Sequence, residues 1–376
     1  MDRTETMVVK KWEKIEKKGE SVLLIADSPL GNSSYAVVGK EMAKMLSEKY
    51  NVYYGGLQYL GMPIDTGQYV LLSFASLQNT YDNLTFINKK FDHAIYIRNA
   101  WAVNTQGDPF RILRPFSDDI MLYSPVEEQL IPRRFFTGLK GFDKQNNFYD
   151  RLITMTKFGV DVIAKHGVHA DYLYHNLNED KISYTQYHNE KNVLNISYSM
   201  DYRKNTGTYL LLAKLNPEYN FNWTGLSGYY MINDYLELYG IKNFNILNQH
   251  RYYTSFNFLT DKQIADIYAQ NNFYIQPSFK EGFDLTTLEA LSNGLITFMP
   301  DDALHRELFG DFPNAVFVKG SYLYPAMNQL EYFIPINIWD SMFKAYCDKK
   351  RMGIMKKEMF SFTVVKNKLY KILEGN

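Results

Sequence analysis

The stretch "PSFKEGFDLTTLEALSNG", residues 277–294, decides how the chain is read. Glu281 and Glu289 stand in it with seven residues between them, after a Pro-Ser and ahead of Gly294. Thr286-Thr287-Leu288-Glu289 has the T-x-x-E form of a capping box, and Asp284 is a second N-cap candidate. On that reading Glu289 satisfies an orphan amide and Glu281 is a solvated loop charge. The same residues also suit a ligand. Gly282 permits close approach of the backbone. A helix start at Asp284 to Thr286 offers unpaired N–H groups and a positive dipole end, which favour a phosphate. Glu289, one turn in, is placed to accept hydrogen bonds from a ribose diol, and Glu281 from a sugar hydroxyl. A glycosidase dyad fits less well, because it needs two carboxylates facing across one sugar bond.

Outward from this stretch the chain alternates short apolar runs with helical patterns. "SVLLIAD" (21–27), "NVYYGGLQ" (51–58), "DHAIYIRN" (92–99), "DIMLYSPV" (119–126), "RLITMT" (151–156) and "ADYLYH" (170–175) read as strands. "SYAVVGKEMAKMLSEKY" (34–50) and "KFGVDVIAKHG" (157–167) read as helices between them. A polar run at 176–192 is the linker candidate. The alternation then restarts with strands at 193–199, 220–227, 273–278, 295–300 and 315–320 and helices at 205–215 and 261–271. The tail from Ile338 to Asn376 reads as helical and Lys-rich. Strand and helix in repetition predict an α/β fold of two doubly wound units with mostly parallel sheets. Ligands of such sheets bind outside the carboxyl ends of the strands, here in the cleft between the two units.

The bulk numbers narrow the class. Lys plus Arg equals Asp plus Glu at 41 each, which argues against a chain built to coat nucleic acid. One cysteine, Cys347, allows no internal disulfide, and the seven histidines lack metal spacing. Residues 1–20 are charged and have no apolar core of a signal peptide, so a cytoplasmic location is expected. The densest apolar run, "YVLLSFASL" (69–77), is too short to span a bilayer. The Lys-rich tail reads as a solvated helix, with peripheral membrane contact as the alternative.

Several motifs fail. "GNSSYAVVGKE" (31–41) is not a P-loop, since Gly31 and Gly39 are too far apart and Glu41 follows Lys40. No G-x-G-x-x-G follows a strand, and no D-x-D triplet exists to bridge a metal to a diphosphate.

Four motifs in order, over roughly residues 21–310, resemble the GT-B-fold retaining glycosyltransferases of family 4. The first is "PSFKEGFDLTTLE", with Asp284 where that family usually has glycine. The second is "SMDYRKNTGTYLLLAKL" (199–215), which carries Arg203-Lys204, although Tyr198 and Ser199 stand where many members place a further Arg. The third is "TMTKFGVDVIAKHGVHADYLYHNLNED" (154–180), and the fourth "DSPLGNSSYAVVGKEMAKML" (27–46). The resemblance implies transfer of a sugar from a nucleotide-diphosphate sugar, with retention at the anomeric carbon and no essential metal or other cofactor. It implies an acceptor-binding unit at 1–185, a donor-binding unit at 186–354, and a tail at 355–376 returning to the first.

By the same resemblance Glu281, Lys204 and Arg203 are the catalytic candidates. Gly31, Asn32, Gly282, Phe283, Asp284, Leu285 and Glu289 are the donor-binding candidates. Glu127 (or Glu128) and His175 are candidates for the acceptor or sugar side. Each has an ordinary alternative: Arg203-Lys204 as an exposed pair, His175 as hinge packing, Glu127 as a loop carboxylate. A nucleotide-sugar-binding protein without transferase activity, or a GT-B epimerase, stays open beside the transferase. The acceptor, whether glycan, lipid or protein, is left open. Loops 59–68 and 100–118 are expected to select it.

Overall fold

The computed structural model of the chain describes residues 19–31, 33–100, 112–127, 129, 131–136, 138–140, 147–183, 189–197, 202–225, 229–247, 259–323 and 331–375. Asn32, Glu128, Tyr198, Ser199 and the loop 101–111 lie outside them.

The first sheet holds eight strands: β1 (Ser21–Asp27), β2 (Asn51–Leu57), β3 (Ile64–Asp65), β4 (Tyr69–Phe74), β5 (His93–Ile97), β6 (Ile120–Ser124), β9 (Arg151–Thr154) and β10 (Asp171–Tyr172). Between β6 and β9, β7 (Gly138–Leu139) and β8 (Asn147–Tyr149) make a small separate pair. The sheet order is β10-β9-β6-β5-β1-β2-β4-β3, and only the β3 edge is antiparallel. Val22 to Ala26 are fully buried, as a parallel strand covered on both faces requires. Helices α1 (Ser34–Ser47), α2 (Leu77–Ile87) and α3 (Lys157–Ala164) pack on this sheet. The apolar run at 69–77 is β4 running into α2, two elements the pattern reading left unassigned.

The second sheet is wholly parallel, in the order β13-β12-β11-β14-β15-β16. Its strands are β11 (Asn189–Ile196), β12 (Asn220–Thr224), β13 (Phe244–Ile246), β14 (Asn271–Ile275), β15 (Ile296–Pro300) and β16 (Ala315–Val318). Helices α4 (Thr206–Leu215), α5 (Tyr229–Tyr239), α6 (Asp261–Ala269), α7 (Leu285–Ser292) and α8 (Ala303–Phe309) alternate with them. A hairpin of β17 (Ser321–Leu323) and β18 (Glu331–Phe333) follows, then α9 (Ile336–Tyr346) and α10 (Phe362–Leu373).

Three differences from the pattern reading have local causes. β11 begins at Asn189, inside the polar run taken as linker, because pairing with β12 and β14 rather than apolarity extends it. The start of that run is packed: Asn176, Leu177 and Lys181 are buried, as is His175 just before it. The tail is two helices with a non-helical stretch between, not one. α10 lies against α1, where the Tyr370 hydroxyl donates to the Met45 carbonyl at 2.6 Å and Lys366 pairs with Glu48. One apolar cluster runs from β1 and α1 through Phe283, Leu288 and Leu304 to Val365 and Leu369, so a continuous core joins both sheets and the tail. No helix among the described residues is long and apolar enough to cross a membrane.

Candidate active site

In each sheet the order reverses beside the first strand, between β1 and β5 and between β11 and β14. Such reversals open a crevice at the strands' carboxyl ends. In the second sheet the loops leaving β11 and β14 are joined there. Phe279 N–H donates to the Arg203 carbonyl at 2.9 Å, and the Asn205 side-chain amide to the Pro277 carbonyl at 3.0 Å.

This lacing brings Arg203 and Lys204 to Glu281. Lys204 Nζ lies 2.5 Å from Glu281 Oε1, and Arg203 Nη1 lies 3.1 Å from Oε2. Arg203 also reaches across the cleft to Glu127 Oε1 at 3.4 Å, on the loop after β6. Burial raises the Glu127 pKa, Arg203 pulls it down, and the charge of Glu281 pushes it up again. The cations stand at the start of α4, whose N-cap residue Asn205 (φ 49°) supplies no side-chain cap. The buried Thr206 hydroxyl, one residue on, has no hydrogen-bond partner among the described residues. A helix N-terminus with two cations and a spare hydroxyl favours an anion. An anion entering there has to exchange with the carboxylates of Glu281 and Glu127.

Gly282 serves a close approach, but to the other half of the chain. A Cβ at this position meets Pro125 Cβ at 2.5 Å, so only glycine lets the two loops touch. Phe283 is buried in the same seam, with ring centroids 4.5 Å from His175 and 5.9 Å from Phe360. His175 is likewise interior. Its Nδ1 lies 3.0 Å from the Tyr123 hydroxyl, and burial lowers its pKa to about 3, which leaves it neutral.

Asp284, where the resembled family carries glycine, has φ 67° and so keeps the left-handed backbone for which glycine is the usual residue. It is the N-cap of α7 and accepts from Thr287 N–H at 3.4 Å. Its carboxylate turns inward. Gln276 donates to it at 2.8 Å, and His305 Nε2 stands 3.3 Å away. His305 Nδ1 lies 2.8 Å from Asp302, so one sealed imidazole joins two carboxylates. Burial by itself raises the Asp284 pKa, but the hydrogen bond and charge of His305 outweigh it, and the carboxyl is held low. Burial likewise disfavours imidazolium at His305, yet the two aspartates win and raise its pKa. The negative charge at 284 is therefore neutralised within the fold.

The capping-box reading of Thr286 and Glu289 does not hold. Asp284 caps the helix, and Glu289 points away from the helix end. Its Oε1 meets Lys181 Nζ at 2.7 Å, and Tyr268 donates to Oε2 at 3.0 Å. Lys181 comes from the crossing segment between the sheets. Burial opposes its charge, but Glu289 outweighs burial and raises its pKa. Leu285 and Glu289 face Val38, Glu41 and Asn176 across a cleft with about 480 Å³ of empty space open to solvent.

On the first sheet, Gly31 sits in the turn after β1 with its N–H on the Ser28 carbonyl at 2.8 Å. Ser33 caps α1 and donates to Asp27 at 2.6 Å, and Arg98 binds the other Asp27 oxygen at 3.1 Å. Tyr35, in the first turn of α1, packs against the apolar cluster within the electrostatic reach of these charges. Its pKa is raised by burial and by Glu127, and it also feels Arg98 and Arg203. Sequence reasoning missed Tyr35, Lys181 and His305. The only available signals were a phenol at the start of a helix, a lysine in a polar run and a histidine three residues after an aspartate. Across the domain seam, Glu307 accepts from the backbone N–H groups of Lys157 and Phe158 at 2.8 and 2.5 Å and from the Tyr174 hydroxyl at 2.9 Å, tying α8 to the start of α3.

No protein-family model matches the sequence, and no curated protein matches it. Solved structures do. A sucrose-phosphate synthase from Thermosynechococcus elongatus superposes with a TM-score of 0.69 at 10% identity, over 95% of this chain and 99% of that one. Anabaena HepE, in complex with UDP and glucose, gives 0.65 at 10% identity, over 95% and 100%. WaaG, a glycosyltransferase involved in lipopolysaccharide biosynthesis, gives 0.59 at 12% identity, over 94% and 100%. The chain has the GT-B fold of these glycosyltransferases.

Proposed function

We propose that the chain is a retaining glycosyltransferase of the family 4 type, using a nucleotide-diphosphate sugar as donor. One observation carries the reading. Arg203, Lys204 and Glu281 meet at the uncapped start of α4, at the strand-order reversal of a GT-B fold. Arg203, Lys204 and the amides after Gly282 bind the diphosphate. Glu281 orients the sugar and favours positive charge at its anomeric carbon, and Glu289, held by Lys181, receives the ribose. In the transfer, the acceptor oxygen bonds to the anomeric carbon as the bond from that carbon to the phosphate oxygen breaks. The acceptor proton passes to the departing diphosphate. Donors fixed in advance stabilise that departing charge most effectively. Closure of the two units keeps out water that would hydrolyse the donor.

The reaction requires no resident metal, so activity unchanged by EDTA is the expected outcome. The same reading makes the polypeptide a cytoplasmic enzyme whose acceptor is a glycan, lipid or protein. Thermal-shift screening with UDP-, GDP- and ADP-sugars identifies the donor, because a bound ligand raises the melting temperature by linkage. Donor turnover by native protein and by Glu281→Ala then tests the chemistry. The engagement of both cations by Glu281 and Glu127 favours a second reading, a nucleotide-sugar-binding protein without transfer. Binding without turnover under any acceptor would establish that reading and exclude the first. Product analysis without acceptor separates an epimerase.

A further inference from the structure

Beside Glu281 the cleft widens into a hollow with about 330 Å³ of empty space, open to solvent, which Glu127, Gln129, Phe279, Tyr322 and Tyr332 also line. Its rim is unusual. Tyr322, which lines it, is 38% exposed, and Tyr202 (65%) and Phe333 (41%) flank the lining residue Phe279, so three large rings face water near a charged centre. They are not loosely placed. The Tyr202 and Phe279 rings lie 5.1 Å apart, Phe279 and Phe333 are stacked at 6.3 Å, and Tyr322 meets Tyr332 edge-on at 4.9 Å. The backbone holds them in register with the charges: Tyr332 N–H donates to the Phe279 carbonyl at 3.3 Å, and Phe279 N–H to that of Arg203. From the opposite side of the cleft the Gln129 amide reaches the Tyr322 hydroxyl at 2.6 Å.

The chemistry of this lining selects its occupant. Glu127, Glu281 and Asp302 outnumber Lys280 in the lining, which disfavours a phosphate, while the same carboxylates with the Gln129 amide would leave an aliphatic ligand facing polar groups. A pyranose ring matches both halves. Its C–H faces lie on aromatic rings, and its hydroxyls reach carboxylate and amide. We infer that this hollow is a subsite for a neutral pyranose unit of the acceptor, with the β17–β18 hairpin as its aromatic wall and Gln129 as its polar partner. That the ring belongs to the acceptor rests on the glycosyltransferase reading; that the hollow holds a pyranose does not.

The test is ligand-observed saturation-transfer NMR on the full chain, with the methyl pyranosides of glucose, galactose and mannose titrated separately. UDP, GDP and ADP are titrated calorimetrically in parallel. The expected result is saturation transfer to at least one pyranoside. Tyr322→Ala and Gln129→Ala are expected to weaken its binding about three- to tenfold, with nucleotide affinity and melting temperature unchanged. Absence of transfer to all three sugars in the native protein overturns the inference, and so does binding that neither variant moves. If the sugar behaves as expected but no nucleotide binds, the donor reading fails and the pyranose subsite stands.

Discussion

Two charged centres lie within a few residues of each other and are built on opposite terms. Arg203, Lys204, Glu127 and Glu281 meet where the two halves of the chain face each other, with Arg203 and Glu127 each about a quarter exposed. Asp284, His305 and Asp302 lie behind the start of α7, with the imidazole fully sealed. Water reaches the Arg203–Glu127 side of the first centre, so that pair can exchange one anion for another at modest cost, while Glu281 itself is buried. In the second, Asp284 and His305 have no solvent to replace a lost partner, so each of these charges depends on the other. The difference separates a centre suited to binding from one that holds a backbone: the sealed triad fixes Asp284 at φ 67° and thereby the loop that carries Glu281.

Breaking the sealed centre is the severest test of that contrast. His305→Ala leaves two carboxylates without their cation and is expected to lower stability by about 3–5 kcal/mol in urea unfolding. The double variant Asp284→Asn with His305→Ala should recover part of the loss, because Asn tolerates the left-handed backbone and carries no charge. Equal losses for the single and double variants would show that the cavity, not the charge, matters.

Next in size is the cleft. Glu281→Gln removes a group from the reaction and one charge from a partly buried cluster. Donor turnover should fall about a hundredfold, with the urea midpoint lowered less than in His305→Ala, because Arg203 keeps Glu127 as a partner. A midpoint shift as large as that of His305→Ala would erase the distinction between the two centres.

A pH titration of stability sharpens it further. Asp284 is depressed from 3.8 to about 2, so its contribution is present above 3.8 and lost as pH falls through about 2. His305 is raised from 6.5 to about 10, so its contribution is full below 6.5 and lost as pH rises through about 10. The triad therefore contributes most between about pH 4 and 6.5. Urea midpoints at about pH 6 and about pH 9 should diverge in native protein and converge in the Asp284→Asn, His305→Ala variant.

The smallest effect is expected at the cleft's edge. Glu127→Gln relaxes one long, quarter-exposed ion pair and should change stability by less than about 1 kcal/mol. By releasing Arg203 it should also tighten nucleotide-diphosphate binding, read by calorimetry. Weaker binding would show that Glu127 positions Arg203 rather than competing for it.

Much of this architecture was open to reading along the chain. Buried parallel strands are continuous apolar runs, and "SVLLIAD" coincides with β1. Helix starts carry their own caps, so Asp284 could be named in advance as an N-cap. Some elements escaped, among them α2, which buries only Thr80 and Leu84 of its eleven residues, and α8, whose seven residues span about two turns and are too short to set a clear period.

What the sequence by itself determined is everything that depends on near neighbours: strand and helix alternation, the α/β class, the capped start of α7, and Glu281 and Arg203-Lys204 as charges on loops after strands. What only the tertiary structure decided is which charge meets which. Lys181 finds Glu289 across 108 residues, Arg203 finds Glu281 across 78, and His305 closes on Asp284 across 21. The physical reason is that a charge in a chain has no fixed partner until burial removes water as its alternative. The order of strands in two sheets decides which partners are left.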